Sequence, residues 1–173
     1  MVIKILQPIS RLADRLLRDR KLLGQQQTQP VRGPGKSGIT SSDYTGRPEM
    51  VYERRGPGGY RAGEVVWTWV AYEEDSSQGK DRPVLLIGAE EGWLLGLPAT
   101  SQDHDRDAQQ ERQAGRYWVD IGTGEWDARR RASEVRTDRI VRIDPNTVRR
   151  TAGRVDARIF TRVASEVTRH WDD

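Results

Sequence analysis

Residues 64–143 alternate short runs of β-branched, aliphatic and aromatic residues with turn residues, a pattern that predicts strands rather than long helices. Asp156 is expected to cap a helix that continues to Trp171, with Ile159, Phe160, Val163 and Val167 on its apolar face. The fold predicted is mainly β with α: a small SH3-like barrel plus a C-terminal helix. The predicted strands are 64–72, 84–87, 93–97, 117–121 and 132–143.

The first 60 residues have a different composition. Residues 1–24 have apolar positions at helical spacing and basic residues on the other side, which predicts an amphipathic helix. Such a helix is typical of segments that dock on their own domain or a partner, lie on a membrane surface, or bind nucleic acid. Residues 25–60 are rich in Gln, Gly, Pro, Ser and Thr and are expected to be a flexible linker. The barrel domain is therefore expected over 61–173.

Composition limits the chemistry. The chain has no cysteine, which excludes disulfides and thiol chemistry and fits a reducing cytoplasm, and no apolar run approaches the ~18 residues of a membrane span. Residues 1–60 carry a net charge of +6, whereas residues 61–173 carry −3. If the barrel binds nucleic acid, local clusters of basic residues must be responsible, because its bulk charge is negative.

Two residues, Arg82 and Thr100, are candidates for contacting a phosphate group. Arg82 follows a polar loop and precedes the apolar run that starts at Pro83, so a rigid strand can present its guanidinium. The planar guanidinium has forked donors that match phosphate and keeps its charge. Thr100 comes at the end of another predicted strand, after Pro98, and its hydroxyl could reach the same space. Either residue could instead simply be a solvated residue at the end of a strand.

Four elements in order resemble the MazF/PemK family of toxin–antitoxin ribonucleases. They are a strand beginning Gly63-Glu64, the junction Gly79-Lys80-Asp81-Arg82-Pro83, the strand end Pro98-Ala99-Thr100-Ser101-Gln102, and the strand Asp138-Arg139-Ile140-Val141-Arg142. The resemblance covers residues 62–171. The chain departs from the pattern in its N-terminal extension, in an acidic loop after Gln102, and in having Arg139 where the family usually has Gln.

The resemblance implies a MazF/PemK/CcdB-type barrel that cleaves single-stranded RNA without a metal or other cofactor. It implies that Arg82 and Thr100 form the catalytic pair, with Ser101 and Gln102 in support, and that the products are a 2′,3′-cyclic phosphate and a 5′-hydroxyl. It also implies a homodimer and a protein antitoxin that occupies the RNA groove. The extension puts that antitoxin arrangement in question, because the helix over 1–24 could itself be a tethered partner element.

Other residues are candidates for a functional role, and each also has a purely structural interpretation. His104, in Asp103-His104-Asp105, is either an auxiliary proton carrier or a solvated loop residue; consecutive residues rarely converge on one metal ion. Arg129, Arg130, Arg131 and Arg136 are either an RNA phosphate track or a solvated turn with ion pairs to Glu134 and Asp138. Trp126, like the other tryptophans of the barrel, is either a core residue or a platform for a base; because it lies in a polar turn beside Gly124, it is the tryptophan best placed to stack on one.

Two other classes of function remain open from the sequence. The barrel could bind RNA or a protein without cleaving it, which its negative charge favours. Alternatively, the basic N-terminal helix could be the active part, attached to DNA or, less expectedly, to a membrane.

Overall fold

The computed structural model describes residues 41–101 and 108–171. The helix expected over 1–24 and the first part of the expected linker, 25–40, lie outside the described residues. Within them, eight antiparallel strands and two α-helices follow one another: β1 (Ser41–Tyr44), β2 (Glu64–Ala71), β3 (Gly79–Glu90), β4 (Trp93–Thr100), α1 (Ala108–Gln113), β5 (Trp118–Gly122), β6 (Ser133–Arg136), β7 (Ile140–Ile143), β8 (Arg150–Arg154) and α2 (Ala157–Trp171). Two short 3-10 helices, Pro57–Gly59 and Pro145–Thr147, lie in the loops. The class predicted, a mainly β fold with a C-terminal helix, is confirmed.

The sheet is organised around β3 and β4. The strand order is β1-β7-β4-β3-β2-β8, and the β5–β6 pair joins the end of β4. The stretch 132–143 forms two strands because residues 137–139 interrupt it, and both strands pair with β4. Strand β4 therefore holds two different partners along one edge.

Both faces of the central strands are covered by apolar residues. On one face Leu85, Leu97 and Ala99 pack with Phe160 and Val163 of α2. On the other face Val66, Val84 and Leu86 form a second cluster with Val141 and Ile143. A strand buried on both faces is continuously apolar, which explains the unbroken run 84–87.

Helix α2 begins where the sequence predicts. The Asp156 carboxylate accepts a hydrogen bond from the backbone N–H of Ile159 at 2.8 Å, so the expected N-cap is confirmed. Phe160, Val163 and Val167 are buried and Ile159 packs beside them. The acidic loop expected over 101–115 contains the short helix α1.

The linker predicted over 25–60 is wrong for residues 41–60, so the folded unit extends to the N-terminal side of residue 61. Strand β1 pairs with β7 in register from Ser41–Ile143 to Tyr44–Ile140. The Tyr52 hydroxyl donates to the carbonyl of Val155 at 2.8 Å. These residues lack the periodicity of a strand or helix, and long-range contacts order them instead. The structure has no helix among the described residues long and apolar enough to cross a membrane.

Candidate functional site

A cleft opens where β3 and β4 part. Their ladder extends as far as Val84–Pro98; beyond it, β3 continues along β2 and β4 continues along β6. Pro83 and Pro98 have no amide hydrogen with which to extend the ladder. The resulting space has a volume of about 320 Å³, and Arg82 and Thr100 both line it.

Arg82 and Thr100 lie on the two sides of this opening. Continuing the register two residues past Val84–Pro98 sets Arg82 opposite Thr100. Residues opposite each other in an antiparallel arrangement have side chains on the same face. The two residues are 18 positions apart in the chain, and the divided sheet brings them to one cleft. Their catalytic role stays a prediction.

Arg82 carries a poorly compensated charge. Its Nε is buried and has no hydrogen-bond partner among the described residues. Burial lowers the pKa of the Arg82 guanidinium from its ordinary value, and the nearby positive charges of Arg139 and Arg136 lower it further, while Tyr72 acts in the opposite direction. A guanidinium keeps its charge near neutral pH, so an arriving anion would be strongly favoured here.

Arg136 is not a free contact for RNA phosphate. Its side chain is only 12% exposed, and it pairs with Glu73 at 2.8 Å and with Asp138. Burial acts to lower the pKa of Arg136, but hydrogen bonds to Asp138 and Glu73 raise it well above its ordinary value. The structure thus pairs Arg136 with Asp138, one of the two expected ion-pair partners, on a strand rather than in a solvated turn, and its contact with RNA phosphate stays a prediction.

The three consecutive arginines belong to the exposed loop between β5 and β6. Arg131 lines the cleft and donates from Nε to Asp127 at 2.7 Å. Arg130 lies 3.9 Å from Glu125, and both side chains are mostly exposed. Arg129 is exposed. Of the predicted RNA-binding arginines, Arg131 is thus the one that the structure brings to Arg82 and Thr100.

Trp126 is in the core rather than in an open turn. It is 4% exposed and belongs to the cluster that contains Phe160. A base cannot stack on a ring that is covered in this way, so the stacking prediction for Trp126 is wrong for the described conformation. Trp126 is nevertheless among the residues that line the cleft.

Three residues were candidates to assist Arg82 and Thr100, and the structure describes one of them. Ser101 lines the cleft. Gln102 and His104 lie outside the described residues. Across 41–101 and 108–171, no group of three or more His, Cys, Asp or Glu side chains is placed to hold a metal ion.

Sequence reasoning missed the environment of Arg139. This side chain is 9% exposed and donates to Asp43 and to the carbonyl of Ala71. In the sequence Arg139 is a departure from the family pattern within a run of basic residues, and Asp43 lies inside the predicted linker. The presence of Arg139 where the family usually has Gln could have indicated an ion pair, because a guanidinium on a buried strand requires a partner.

Comparison with known proteins found one family model and similar solved structures. The family described as PemK-like, MazF-like toxin of type II toxin–antitoxin system matches residues 61–170. Among solved structures, a chain in the crystal structure of MazE–MazF (Form-II) from Deinococcus radiodurans is similar, with 16% identity and a TM-score of 0.44 over 70% of this chain and 98% of that chain. No curated protein matches the chain.

Proposed function

Because the chain belongs to the PemK-like, MazF-like family of toxins of type II toxin–antitoxin systems, we propose that it is an endoribonuclease that cleaves single-stranded RNA. The observation that carries this proposal is the partly buried Arg82 guanidinium, whose Nε has no hydrogen-bond partner within residues 41–101 and 108–171, across a cleft from Thr100. A phosphodiester would supply the anion that this guanidinium lacks.

The reaction uses a nucleophile that RNA carries itself. The 2′-oxygen attacks phosphorus as its proton leaves, the bond from phosphorus to the 5′-oxygen breaks, and that oxygen takes up a proton. The products are a 2′,3′-cyclic phosphate and a 5′-hydroxyl. Since the nucleophile is internal, the protein needs to orient it, stabilise the phosphorane and move two protons. None of these tasks requires a metal.

Arg82 and Thr100 divide the work on the phosphate. Charge grows on the non-bridging oxygens as the phosphorane forms, so the fixed Arg82 guanidinium binds the transition state more tightly than the ground state. The Thr100 hydroxyl donates to one of those oxygens and holds it in place. In this proposal Ser101 and Gln102 support the pair, and Arg82 or His104 assists in proton transfer.

The proposal includes the partners expected of the family. A protein antitoxin would block the cleft, and two copies of the chain would form a homodimer. The RNA substrate places the activity in the cytoplasm.

A second candidate function is an RNA- or protein-binding module without cleavage activity. The ion pairs of Arg136 and Arg139 favour its protein-binding form, because they remove two cations from the supply available to RNA phosphates. Binding without chemistry would then require only Arg82, Arg131 and the cleft.

Cleavage of a fluorogenic single-stranded RNA by the full chain in EDTA tests the proposal. The wild type should cleave, and Arg82→Ala should lose activity by ~10²–10³, as does removal of one preorganised donor to an oxyanion. Arg158→Ala is the matched control, since Arg158 is exposed on α2 away from the cleft. Circular dichroism verifies that both variants fold. Binding without cleavage by the wild type would establish the module instead, and equal activity of wild type and Arg82→Ala would exclude the proposed site.

A further inference from the structure

Three neighbouring guanidinium groups differ in the partners that balance their charge. Burial lowers the pKa of Arg82, and the positive charges of Arg139 and Arg136 lower it further, so all three cations act on one another. Arg136 pairs with two carboxylates of the barrel, and Arg139 pairs with Asp43. Within residues 41–101 and 108–171, no carboxylate pairs with Arg82.

The carboxylate that balances Arg139 comes from outside the part of the chain that matches the family. That match covers residues 61–170, whereas Asp43 belongs to β1. On the ladder between β1 and β7, Asp43 is opposite Val141, two residues after Arg139. Residues at this diagonal position across antiparallel strands share a face and are within reach of long side chains. The pairing of β1 with β7 therefore brings the carboxylate to the guanidinium.

The contact between Asp43 and Arg139 is close enough to cancel most of the charge. Asp43 Oδ1 accepts hydrogen bonds from both Nε and Nη2 of Arg139. The Arg139 side chain is 9% exposed, so water compensates little of its charge and the carboxylate must do so. For a group farther away than the pair is wide, the two opposite charges act almost as none.

Arg139 lies near enough to Arg82 for its charge to be felt by a ligand there. Its Nη2 donates to the carbonyl of Ala71, at the end of β2. Three residues earlier in β2, Thr68 is opposite Arg82. Three residues of a strand span about 10 Å, which is about the distance over which 0.1 M salt screens a charge. An unbalanced Arg139 would therefore attract a phosphate bound at Arg82.

We propose that Asp43 limits the affinity of the cleft for RNA by neutralising Arg139, which leaves Arg82 as the cation that attracts the phosphate. The inference rests on the proposed ribonuclease function. Without the Asp43 carboxylate, Arg139 adds a second positive charge beside the site, and RNA binds more tightly. Asp43 is a positioning residue and not a catalytic one, because it acts through Arg139.

The direction of the effect on affinity distinguishes this role from a purely structural one. Asp43→Asn removes the charge but keeps the size of the side chain and an oxygen acceptor. The probe is a single-stranded 2′-O-methyl oligonucleotide, which lacks the nucleophile and is not cleaved. Asp43→Asn should bind it about twofold to tenfold more tightly at low salt, as expected for one charge at this distance. Damage to the fold would weaken binding instead, and added salt should reduce the gain.

Variants of Arg139 test whether Asp43 acts through this side chain. Arg139→Gln removes the positive charge and leaves the carboxylate, so it should weaken binding of the oligonucleotide. The double variant Asp43→Asn/Arg139→Gln lacks both charges of the pair, and its affinity should return close to that of the wild type. If Asp43→Asn alone does not fold, comparison of Arg139→Gln with the double variant measures the same removal of negative charge.

The matched control removes an equal charge from the same segment of the chain. Glu53 pairs with Arg154, which is opposite Glu64 at the other end of β2 from Ala71. Glu53→Gln should therefore change the affinity for the oligonucleotide much less than Asp43→Asn does. Circular dichroism verifies that all variants of the full chain fold.

Steady-state cleavage of unmodified RNA supplies a second measurement. Attraction that is equal in the ground state and the transition state lowers KM without raising kcat. Asp43→Asn should therefore have a lower KM than the wild type and a similar kcat. A fall in kcat with unchanged KM would show that the carboxylate serves the chemical step, and this would overturn the proposed role.

The outcomes separate the role of Asp43 from the ribonuclease proposal. A folded Asp43→Asn that binds no more tightly than the wild type or Glu53→Gln overturns the inference alone, and so does a double variant that binds as tightly as Asp43→Asn. Tighter binding by Asp43→Asn, in a protein whose wild type cleaves no RNA, overturns the ribonuclease function and leaves the inference. If neither wild type nor Asp43→Asn binds the probe, the inference is overturned, and cleavage decides the ribonuclease proposal separately.

Discussion

The Arg139 guanidinium holds Asp43 through two hydrogen bonds to Oδ1, from Nε at 3.0 Å and from Nη2 at 2.8 Å. Nη2 also donates to the carbonyl of Ala71 at 3.0 Å. One buried cation thus connects β1, the end of β2 and the start of β7. Burial lowers the pKa of Arg82, and the charge of Arg139 lowers it further, so a residue of the N-terminal segment, Asp43, balances a cation close to Arg82.

The Asp43–Arg139 pair should contribute to stability. Asp43→Ala leaves the buried Arg139 with the Ala71 carbonyl as its remaining partner in the described part of the chain, and we expect a loss of about 1–3 kcal/mol in the free energy of unfolding. Asp43 is 47% exposed, which favours the lower part of this range. Urea denaturation measures the loss. In an Arg139→Gln background the same substitution should cost much less; equal losses in both backgrounds would show that the pair is not coupled.

The boundary of the folded unit can be tested by truncation. A chain that begins at residue 61 lacks β1, the buried Tyr44, and Tyr52, whose ring centroid lies 5.4 Å from that of Phe160. Losing buried aromatic side chains costs about 3 kcal/mol or more. We therefore expect chain 61–173 to unfold at a clearly lower urea concentration than chain 41–173. Coinciding unfolding curves would mean that residues 41–60 add nothing to the fold.

We expect RNA cleavage to depend on the Thr100 hydroxyl more than on the branched shape of the Thr100 side chain. Thr100→Val keeps the branched side chain but removes the donor, so kcat should fall by ~10² if the hydroxyl holds a phosphorane oxygen. Thr100→Ser keeps the hydroxyl and should retain most of the activity. Steady-state cleavage kinetics distinguish the two variants. Full activity in a folded Thr100→Val would remove Thr100 from the catalytic pair.

Glu73 makes stability depend on pH. Its hydrogen bond from Arg136 lowers the pKa of the Glu73 carboxyl below the ordinary value of 4.5, against the opposing effect of burial. A carboxyl with a lowered pKa stabilises the fold above its unfolded-state pKa, and this contribution disappears as pH falls through the folded-state pKa. The stability difference between wild type and Glu73→Gln should therefore be constant near neutral pH and shrink below about pH 4.5.

Unfolding curves of the wild type and Glu73→Gln at several pH values measure this effect. Glu74→Gln, a change at the exposed neighbouring residue, is the control and should show a smaller pH dependence. A Glu73→Gln difference that persists unchanged at low pH would mean that the charge of Glu73 is not responsible.

Local patterns were sufficient for much of the fold. Strand β2 and helix α2 lie within one residue of their predicted bounds, because β-branched and aromatic runs, an N-cap and helical periodicity act over short stretches. Arg82 and Thr100 could also be found, since Arg82 precedes Pro83 at the start of a predicted strand and Thr100 follows two residues after Pro98 at the end of another. Ser41-Ser42-Asp43-Tyr44 has no such pattern, and only pairing with β7 makes it a strand.

The sequence by itself determined the class of fold, the helix and the two residues on which the proposed chemistry depends. The tertiary structure decided which arginines remain available and where Trp126 lies. Glu73 and Arg136 are 63 positions apart, and whether two such charges pair depends on how strands are placed in space. Likewise, Trp126 is buried because Gly124 and Gly153 leave room for its ring. Burial and ion pairing arise between distant parts of the chain, and no local pattern of residues encodes them.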